Sequence, residues 1–389
     1  MTTKILPEIS NIQNEMIAIR HKLHQHPEIG FEEFKTSELV ANLLTEWGYQ
    51  VTRGIGGTGV VAQLKNGNGP AIGIRADMDA LPIDEATELS HASQVKGKMH
   101  ACGHDGHTAT LLTTARYFAL HRNFNGTLNL IFQPAEEGLS GGLAMVEDGL
   151  FDKFPCDYIF AFHNMPKVEA GKMAFLDGPA MASSDSVIIK VKGRGGHGAM
   201  PHLSIDPVVV ASSIVMALQT IVSRNANPLE TAIITVGSFQ AGEANNVIPD
   251  EAILKLTIRA LNPDMQDLIE KRVKALVTAQ AASYGAEVEI DYKRLYPMVI
   301  NDFQATEFAR NVAISFFGEE QIIPNFPKMT GSEDFSFMLQ QCKGSYIFVG
   351  NGTDGANGCS LHNPKYDFND AILPIVASYW VKLIESYLK

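Results

Sequence analysis

The chain is poor in cysteine. Cys102, Cys156, Cys342 and Cys359 are the only four in 389 residues, too few for a disulfide scaffold, so a reducing, cytoplasmic setting is expected. Positive charge is also scarce: 31 Lys and Arg against 43 Asp and Glu leave a formal net charge of −12. With no basic run in the chain, nucleic acid and anionic membrane are disfavoured as partners. The opening MTTKILPEIS has no apolar signal core, and no apolar stretch is expected to reach the ~18–20 residues of a bilayer span. Low-complexity tracts and internal repeats are missing too. The remainder is ordinary globular composition, 45% hydrophobic and 19% charged, with a length that suits two domains and a chemistry directed at small molecules.

Hydrophobic periodicity organises the chain. Ile9, Ile12, Met16, Ile19 and Leu23 recur at helical spacing over 8–25, and a second helix over 36–47 ends at Gly48. Runs at 58–65, 71–79, 127–133, 157–163 and 345–352 read as strands, with helices over 108–121, 303–317 and 369–388. That alternation is an α/β layered domain. The character changes near 182. A strand there is followed by an apolar helix over 206–225, with Asp206 as N-cap and Pro207 in the first turn. Strands at 231–242 and 250–261, a helix over 262–285 and a strand at 286–295 complete the split ferredoxin-like order. The expected division is 1–182 plus 299–389 as one domain, with 183–298 inserted.

The most informative segment is HACGHDGH at 100–107. It sets Cys102 and His104 around Gly103, which lets backbone approach an ion. A thiolate can bridge two cations, and metal binding would lower its pKa. QPAEEG at 133–138 follows an apolar strand with Glu136 and Glu137. Adjacent carboxylates point in different directions, so one can bind metal while the other takes a proton from water. His163 ends another apolar run, His362 lies in a polar loop after the 345–352 strand, and Asp77 and Asp79 end the strand at 71–79. Asp79 could hydrogen-bond a ligand imidazole. Each residue alone also suits a bland role: a buried structural thiol, a solvated acidic turn, a core histidine, a surface histidine, a helix cap. Their joint position after apolar strands favours a cocatalytic divalent metal site and a metal-dependent hydrolase.

Three other motifs are set aside. GIGGTG at 54–59 and GRGGHG at 193–198 fit G-x-G-x-x-G, but neither leads into a clear helix, so the dinucleotide fingerprint lacks its context. GLSGG at 138–142 fits the nucleophile-elbow spacing, yet two acids crowd its serine and Pro134 separates it from the strand.

Taken in order, HKLHQHPEIGFEE (21–33), IRADMDALPI (74–83), GKMHACGHDGHTA (97–109), IFQPAEEG (131–138), AFHNMP (161–166), GRGGHGAMPHLSIDP (193–207), ANNVIPD (244–250), TGSEDFS (330–336) and the Leu361–His362–Asn363 loop run through essentially the whole chain. With these motifs the chain resembles the dimetal peptidase/aminoacylase family, carboxypeptidase G-like, in its hippurate hydrolase and indole-acetyl-amino-acid amidohydrolase branch. The resemblance implies a mixed-sheet, zinc-peptidase-like catalytic domain with an inserted ferredoxin-like α+β lid and dimerisation domain. It implies two divalent ions per subunit, zinc or manganese first, nickel or cobalt as alternatives. Cys102 would bridge them, with His104 and His163 on one ion and Glu137 and His362 on the other. Many relatives have Asp as the bridge and His in place of Asp77, so this is a Cys/His variant. Glu136 would be general base and then acid, and Asp79 would orient a ligand. His197 would reach the partner subunit's site and polarise the scissile carbonyl. Asn246 and Arg259 would bind the substrate carboxylate or stabilise the oxyanion, and Gly331 and Ser332 would belong to a substrate-binding loop. The implied activity is hydrolysis of the amide of an N-acyl amino acid in a cytoplasmic homodimer. N-acetyl-diaminopimelate deacetylation, dipeptide hydrolysis and a catalytically lapsed metal-binding protein are the alternatives.

Overall fold

The computed structural model describes residues 4–389. The chain divides into two compact units: residues up to Gly178 with Ile300–Pro327 and Asp334–Lys389, and Pro179–Val299 with Lys328–Glu333. In chain order the main elements are α1 (Pro7–Gln25), α2 (Phe34–Glu46), β1 (Gln50–Ile55), β2 (Gly59–Asn66), β3 (Ala71–Asp77), α3 (His104–Leu120), β4 (Gly126–Gln133), β5 (Tyr158–Pro166), β6 (Met173–Phe175), β7 (Ser184–Lys192), α4 (Pro207–Thr220), β8 (Ala232–Gln240), β9 (Glu251–Ala260), α5 (Pro263–Ser283), β10 (Glu287–Tyr296), α6 (Phe303–Phe317), β11 (Gly344–Gly352) and α7 (Leu373–Tyr387).

The first unit is built on a seven-stranded mixed sheet in the order β1-β2-β4-β3-β5-β11-β6. Strands β4, β3, β5 and β11 run parallel at its centre. The outer pairings β1–β2, β2–β4 and β11–β6 are antiparallel. The central strands are buried nearly end to end, which is why they read as continuous apolar runs rather than alternations. Helices α1, α3 and α7 share one core with the sheet, formed among others by Met16, Leu112, Phe118, Phe160, Trp380 and Leu383. GIGGTG makes the β1–β2 turn, closed by Gly57 N–H on the Gly54 carbonyl at 3.4 Å, so it is no phosphate loop.

Parallel strands deliver their carboxyl ends to one edge of the sheet, where crevices form in open α/β sheets. Asp77 ends β3, Gln133 ends β4 just before Glu136, and His163 lies late in β5. His362 follows β11 at a left-handed φ of 63°.

The second unit has a four-stranded antiparallel sheet in the order β8-β9-β7-β10. With α4 and α5 on it, the strand–helix–strand–strand–helix–strand order gives a ferredoxin-like arrangement. Its own core joins Val187, Ile189, Ile214, Leu218, Leu254 and Val273. Asp206 caps α4 by accepting the Val208 N–H at 2.9 Å, ahead of Pro207.

Three sequence expectations are corrected here. The helix at 108–121 starts four residues earlier, at His104. HDGH has no apolar period to announce it, and burial rather than amphipathicity forms this helix, whose residues from His104 to Ala115 are all buried. Residues 328–333 were expected with the catalytic part but group with the second unit. Met329 N–H bonds the Ala180 carbonyl at 2.9 Å, and Ala182 N–H reaches the Gly331 carbonyl at 3.0 Å. Finally, one stretch does reach spanning length: Pro207–Asn225, 19 residues, is apolar enough by length and composition. Its face with Val210, Ala211, Ile214, Leu218 and Ile221 is buried in the second unit's core, whereas Val208, Val209 and Met216 are exposed.

Candidate metal centre

Cys102 is the hub. Its sulfur is 3.4 Å from Nε2 of His163. Cys102, His104 and His163 form one group of donor atoms lying within 4.8 Å of one another, and Cys102, Glu137 and His362 form a second. His104, Glu136 and Glu137 form a further group of the same span. Two three-donor groups sharing one sulfur have the connectivity of a bridged pair of cations.

Local backbone explains how each donor arrives. Gly103 precedes α3 at φ 96°, and a Cβ there would stand 2.5 Å from Oδ1 of Asn164 and 2.6 Å from the Tyr366 hydroxyl. Only glycine lets the chain turn from Cys102 into α3 at this spot. Ala135 turns the chain after β4 at φ 51°. Buried Glu33 holds that turn: it accepts the Ala135 N–H at 2.8 Å with one oxygen and the Thr58 hydroxyl at 2.6 Å with the other. Glu136 and Glu137 follow directly. His362 N–H donates to the Ala101 carbonyl at 2.8 Å, and its Nε2 is 3.2 Å from Oε1 of Glu137.

Asp79 touches both sides of the cluster. Oδ1 is 3.1 Å from Nδ1 of His104, and Oδ2 accepts the Glu137 N–H at 2.9 Å. Nδ1 of His104 also lies 2.9 Å from the Asp79 carbonyl, so the imidazole carries its proton there. His104 Nε2 is buried without a hydrogen-bond partner. A buried polar atom left without a partner costs free energy, and a cation taking the place of its proton would supply one. His163 is arranged alike: Nδ1 faces the Asn164 carbonyl at 2.8 Å while Nε2 faces Cys102.

The electrostatics point the same way. Burial, followed by repulsion from Glu137, Glu136 and Asp77, drives the Cys102 thiol well above its usual pKa. Burial opposes charge on His104, but Asp77, Asp79 and Glu137 outweigh it and lift the imidazole to about 10. Burial and the neighbouring His107 push His163 down to about 3, leaving it neutral and ligand-ready. The protein alone therefore presents a buried surplus of negative charge. Thiol, imidazole and carboxylate donors in that field fit divalent transition ions.

Some contributors escaped the sequence reading. His107 sits three residues after His104 on the same helix, with Nδ1 2.6 Å from Asp77 Oδ1 and Nε2 2.7 Å from Asn164 Oδ1. The i, i+3 spacing within HDGH was the available signal. Arg75 donates to Asp77 at 2.7 Å and to Gln133 at 2.8 Å, bracing β3 against β4.

The remaining sequence-selected residues lie in the second unit, in two groups. His197 pairs with Val247 across a two-residue ladder, and Gly198 N–H bonds the Asn246 carbonyl at 2.8 Å. His197 and Asn246 are both exposed. The His197 Nδ1 accepts the Ala199 N–H at 3.0 Å, so a neutral ring carries its proton on Nε2. Arg259 donates to the Ser332 hydroxyl at 2.8 Å, beside Gly331.

The model of peptidase family M20/M25/M40 matches residues 73–386. The chain belongs to this peptidase family. As a family M20 protein it is a metal-dependent amidohydrolase. The hippurate hydrolase of Campylobacter jejuni is 47% identical over 99% of this chain and 100% of its own length. The IAA-amino acid hydrolase ILR1-like 4 of Arabidopsis thaliana is 38% identical over 96% of this chain and 86% of its own. Among solved structures, the Bacillus subtilis YXEP protein, described as a dinuclear metal binding peptidase from M20 family, superposes with a TM-score of 0.84 at 32% identity over 97% of this chain and 99% of that one.

Proposed function

We propose that this M20 protein hydrolyses the amide bond of N-acyl amino acids, with hippurate-like aryl-acyl conjugates as the first substrates to test, releasing a carboxylic acid and a free amino acid. The observation that carries the reading is one thiol common to two donor groups, with the buried Glu136 beside them. The hippurate and IAA-amino acid hydrolases among its relatives support the substrate class.

Cys102, His104, His163, Glu137 and His362 would hold two divalent ions, Cys102 in common. Thiol and imidazole favour zinc and carboxylates favour manganese, with nickel and cobalt as alternatives. When bound, such ions supply Lewis acidity and make water a nucleophile at neutral pH. Glu136 accepts the proton of the attacking water and delivers it to the leaving nitrogen. Asp79 keeps His104 in the tautomer that presents Nε2. His197 donates Nε2–H to the developing oxyanion, a contribution of about 3–4 kcal/mol in comparable sites. Arg259, which donates to Ser332 beside Gly331, supplies the cation that a substrate carboxylate needs on a net-negative protein, and Asn246 would bind that carboxylate or stabilise the oxyanion.

The inserted unit serves as lid and homodimer contact, which lets His197 act on the partner copy's substrate. The exposed Val208, Val209 and Met216 on α4 support that surface. Four free cysteines support a reducing compartment, the cytoplasm.

A panel of benzoyl-, acetyl-, indole-acetyl- and fatty-acyl amino acids, N-acetyl-diaminopimelate and dipeptides, run with chelation and readdition of zinc or manganese, tests the reading. Chelator-sensitive release of amino acid from an N-acyl substrate supports it. Turnover confined to dipeptides or to the diaminopimelate derivative moves the activity to those classes, and no turnover with metals bound rejects it.

A further inference from the structure

The catalytic account leaves a buried ionic knot unused. Arg20, on α1, is 0% exposed. Its Nε donates to Asp105 Oδ2 at 2.7 Å. Its Nη2 donates to Asp367, and its Nη1 reaches Asp370 Oδ1 at 3.4 Å. His24, one turn further along α1, lies with Nδ1 2.9 Å from the same Asp105 oxygen.

The placement of these partners is informative. Asp105 directly follows His104 in the first turn of α3, and Asp367 stands five residues after His362. His104 and His362 belong to different donor groups, which share Cys102 and are linked a second time by Glu137 beside His104. One guanidinium therefore ties the segment carrying one group's histidine to the segment carrying the other's, across 85 and 347 residues of sequence separation.

Stability alone is a poor reason for such a knot. A buried ion pair gains little over apolar residues of similar volume, because desolvation consumes most of the attraction. A guanidinium does offer a rigid planar fork, which fixes two carboxylates at a set distance and angle. Lysine, a single point charge on a flexible stem, cannot.

We propose that Arg20 is a positioning residue for the metal centre: it fixes the His104 and His362 segments relative to each other, and so the spacing of the two ions. The proposal rests on the reading that Cys102, His104, His163, Glu137 and His362 hold those ions. Arg20 itself supplies no atom to either donor group.

Cobalt(II) titrated into the metal-stripped full-length chain tests it. The readouts are stoichiometry and dissociation constants by calorimetry, and the thiolate-to-cobalt absorption band that reports Cys102. Arg20→Gln is expected to weaken cobalt binding about tenfold or more and to alter the band, the size of effect usual for groups that orient metal ligands. Arg20→Lys should recover only part of the loss. Met16→Ala, which opens a cavity in the core face of the same helix, should lower Tm yet bind cobalt like the unsubstituted protein. Should Arg20→Gln fail to fold, Asp367→Asn takes the charge out of the second tie while leaving Arg20 on Asp105, and weakened binding is again expected. Unsubstituted affinities and spectrum in Arg20→Gln or Asp367→Asn overturn the proposal, as does an equal cobalt loss in Met16→Ala. If the unsubstituted chain itself takes up no cobalt at Cys102, the metal-centre reading falls first and this inference with it.

Discussion

The carboxylate of Asp79 stands 3.1 Å from Nδ1 of His104 with one oxygen and accepts the Glu137 N–H at 2.9 Å with the other. A single side chain thus sets an imidazole and an acidic segment in register. Asp79→Asn replaces one acceptor oxygen by an N–H donor and cannot serve both. Metal affinity, measured by competition with a chelating dye, should fall by about 10–100-fold. Unchanged affinity would remove Asp79 from the support of the site.

Glu136 is separated from its neighbour by role. Glu136→Gln keeps shape and volume but cannot accept a proton. Turnover should drop by at least about 100-fold while metal content by elemental analysis stays at the level of the unsubstituted protein. Near-normal kcat would reject the general-base assignment.

Gly103 tests the backbone. Gly103→Ala forces a side chain into a left-handed conformation that costs about 1–2 kcal/mol, and its Cβ would also meet Asn164 and Tyr366. A lower urea midpoint together with weakened metal binding is expected. A variant with both properties intact would mean that Cys102 and His104 are not held by this turn.

His24 gives a pH signature. Burial opposes its charge, but Asp105 and a hydrogen bond to Glu85 outweigh it and raise the imidazole from 6.5 to about 9. Since the folded value is the higher one, protonated His24 stabilises the fold. That contribution is complete below pH 6.5 and drains away as pH rises through about 9. With metals saturating, the Tm difference between the unsubstituted protein and His24→Asn should be large near about pH 6 and shrink towards about pH 10. A pH-independent difference contradicts the assignment.

The shared-site proposal has its own test. Glu136→Gln and His197→Ala homodimers should each be nearly inactive. After subunit exchange, the mixture should regain activity, because one of the two sites in a heterodimer pairs an intact Glu136 with an intact His197. No recovery despite demonstrated exchange would confine His197 to its own chain.

Much of the first unit was legible because its central strands are buried on both faces. Apolar runs such as TLNLIFQ announce themselves, and the polar residues just beyond them stand out. The same logic failed at HDGH. There the polar segment is itself the start of a fully buried helix, and no hydrophobic period exists to mark it. His107 was missed for that reason, although its spacing from His104 was in plain view. The helix over 206–225 was legible in the sequence, but its spanning-length apolar character was not, because Ser212, Ser213, Gln219 and Thr220 interrupt the apolar run while its mean hydropathy stays high.

What the sequence by itself determined was the kind of chemistry: thiol, imidazole and paired carboxylates, each placed after an apolar strand, in a chain too acidic and too poor in cysteine for the main alternatives. What only the tertiary structure decided was which of these atoms converge. Convergence depends on the parallel order β4-β3-β5-β11, on two left-handed turns at Gly103 and Ala135, and on Arg20 meeting Asp105 and Asp367. Those relations join residues tens to hundreds of positions apart. They are set by strand pairing and by the need to neutralise buried charge, neither of which leaves a local pattern in the chain.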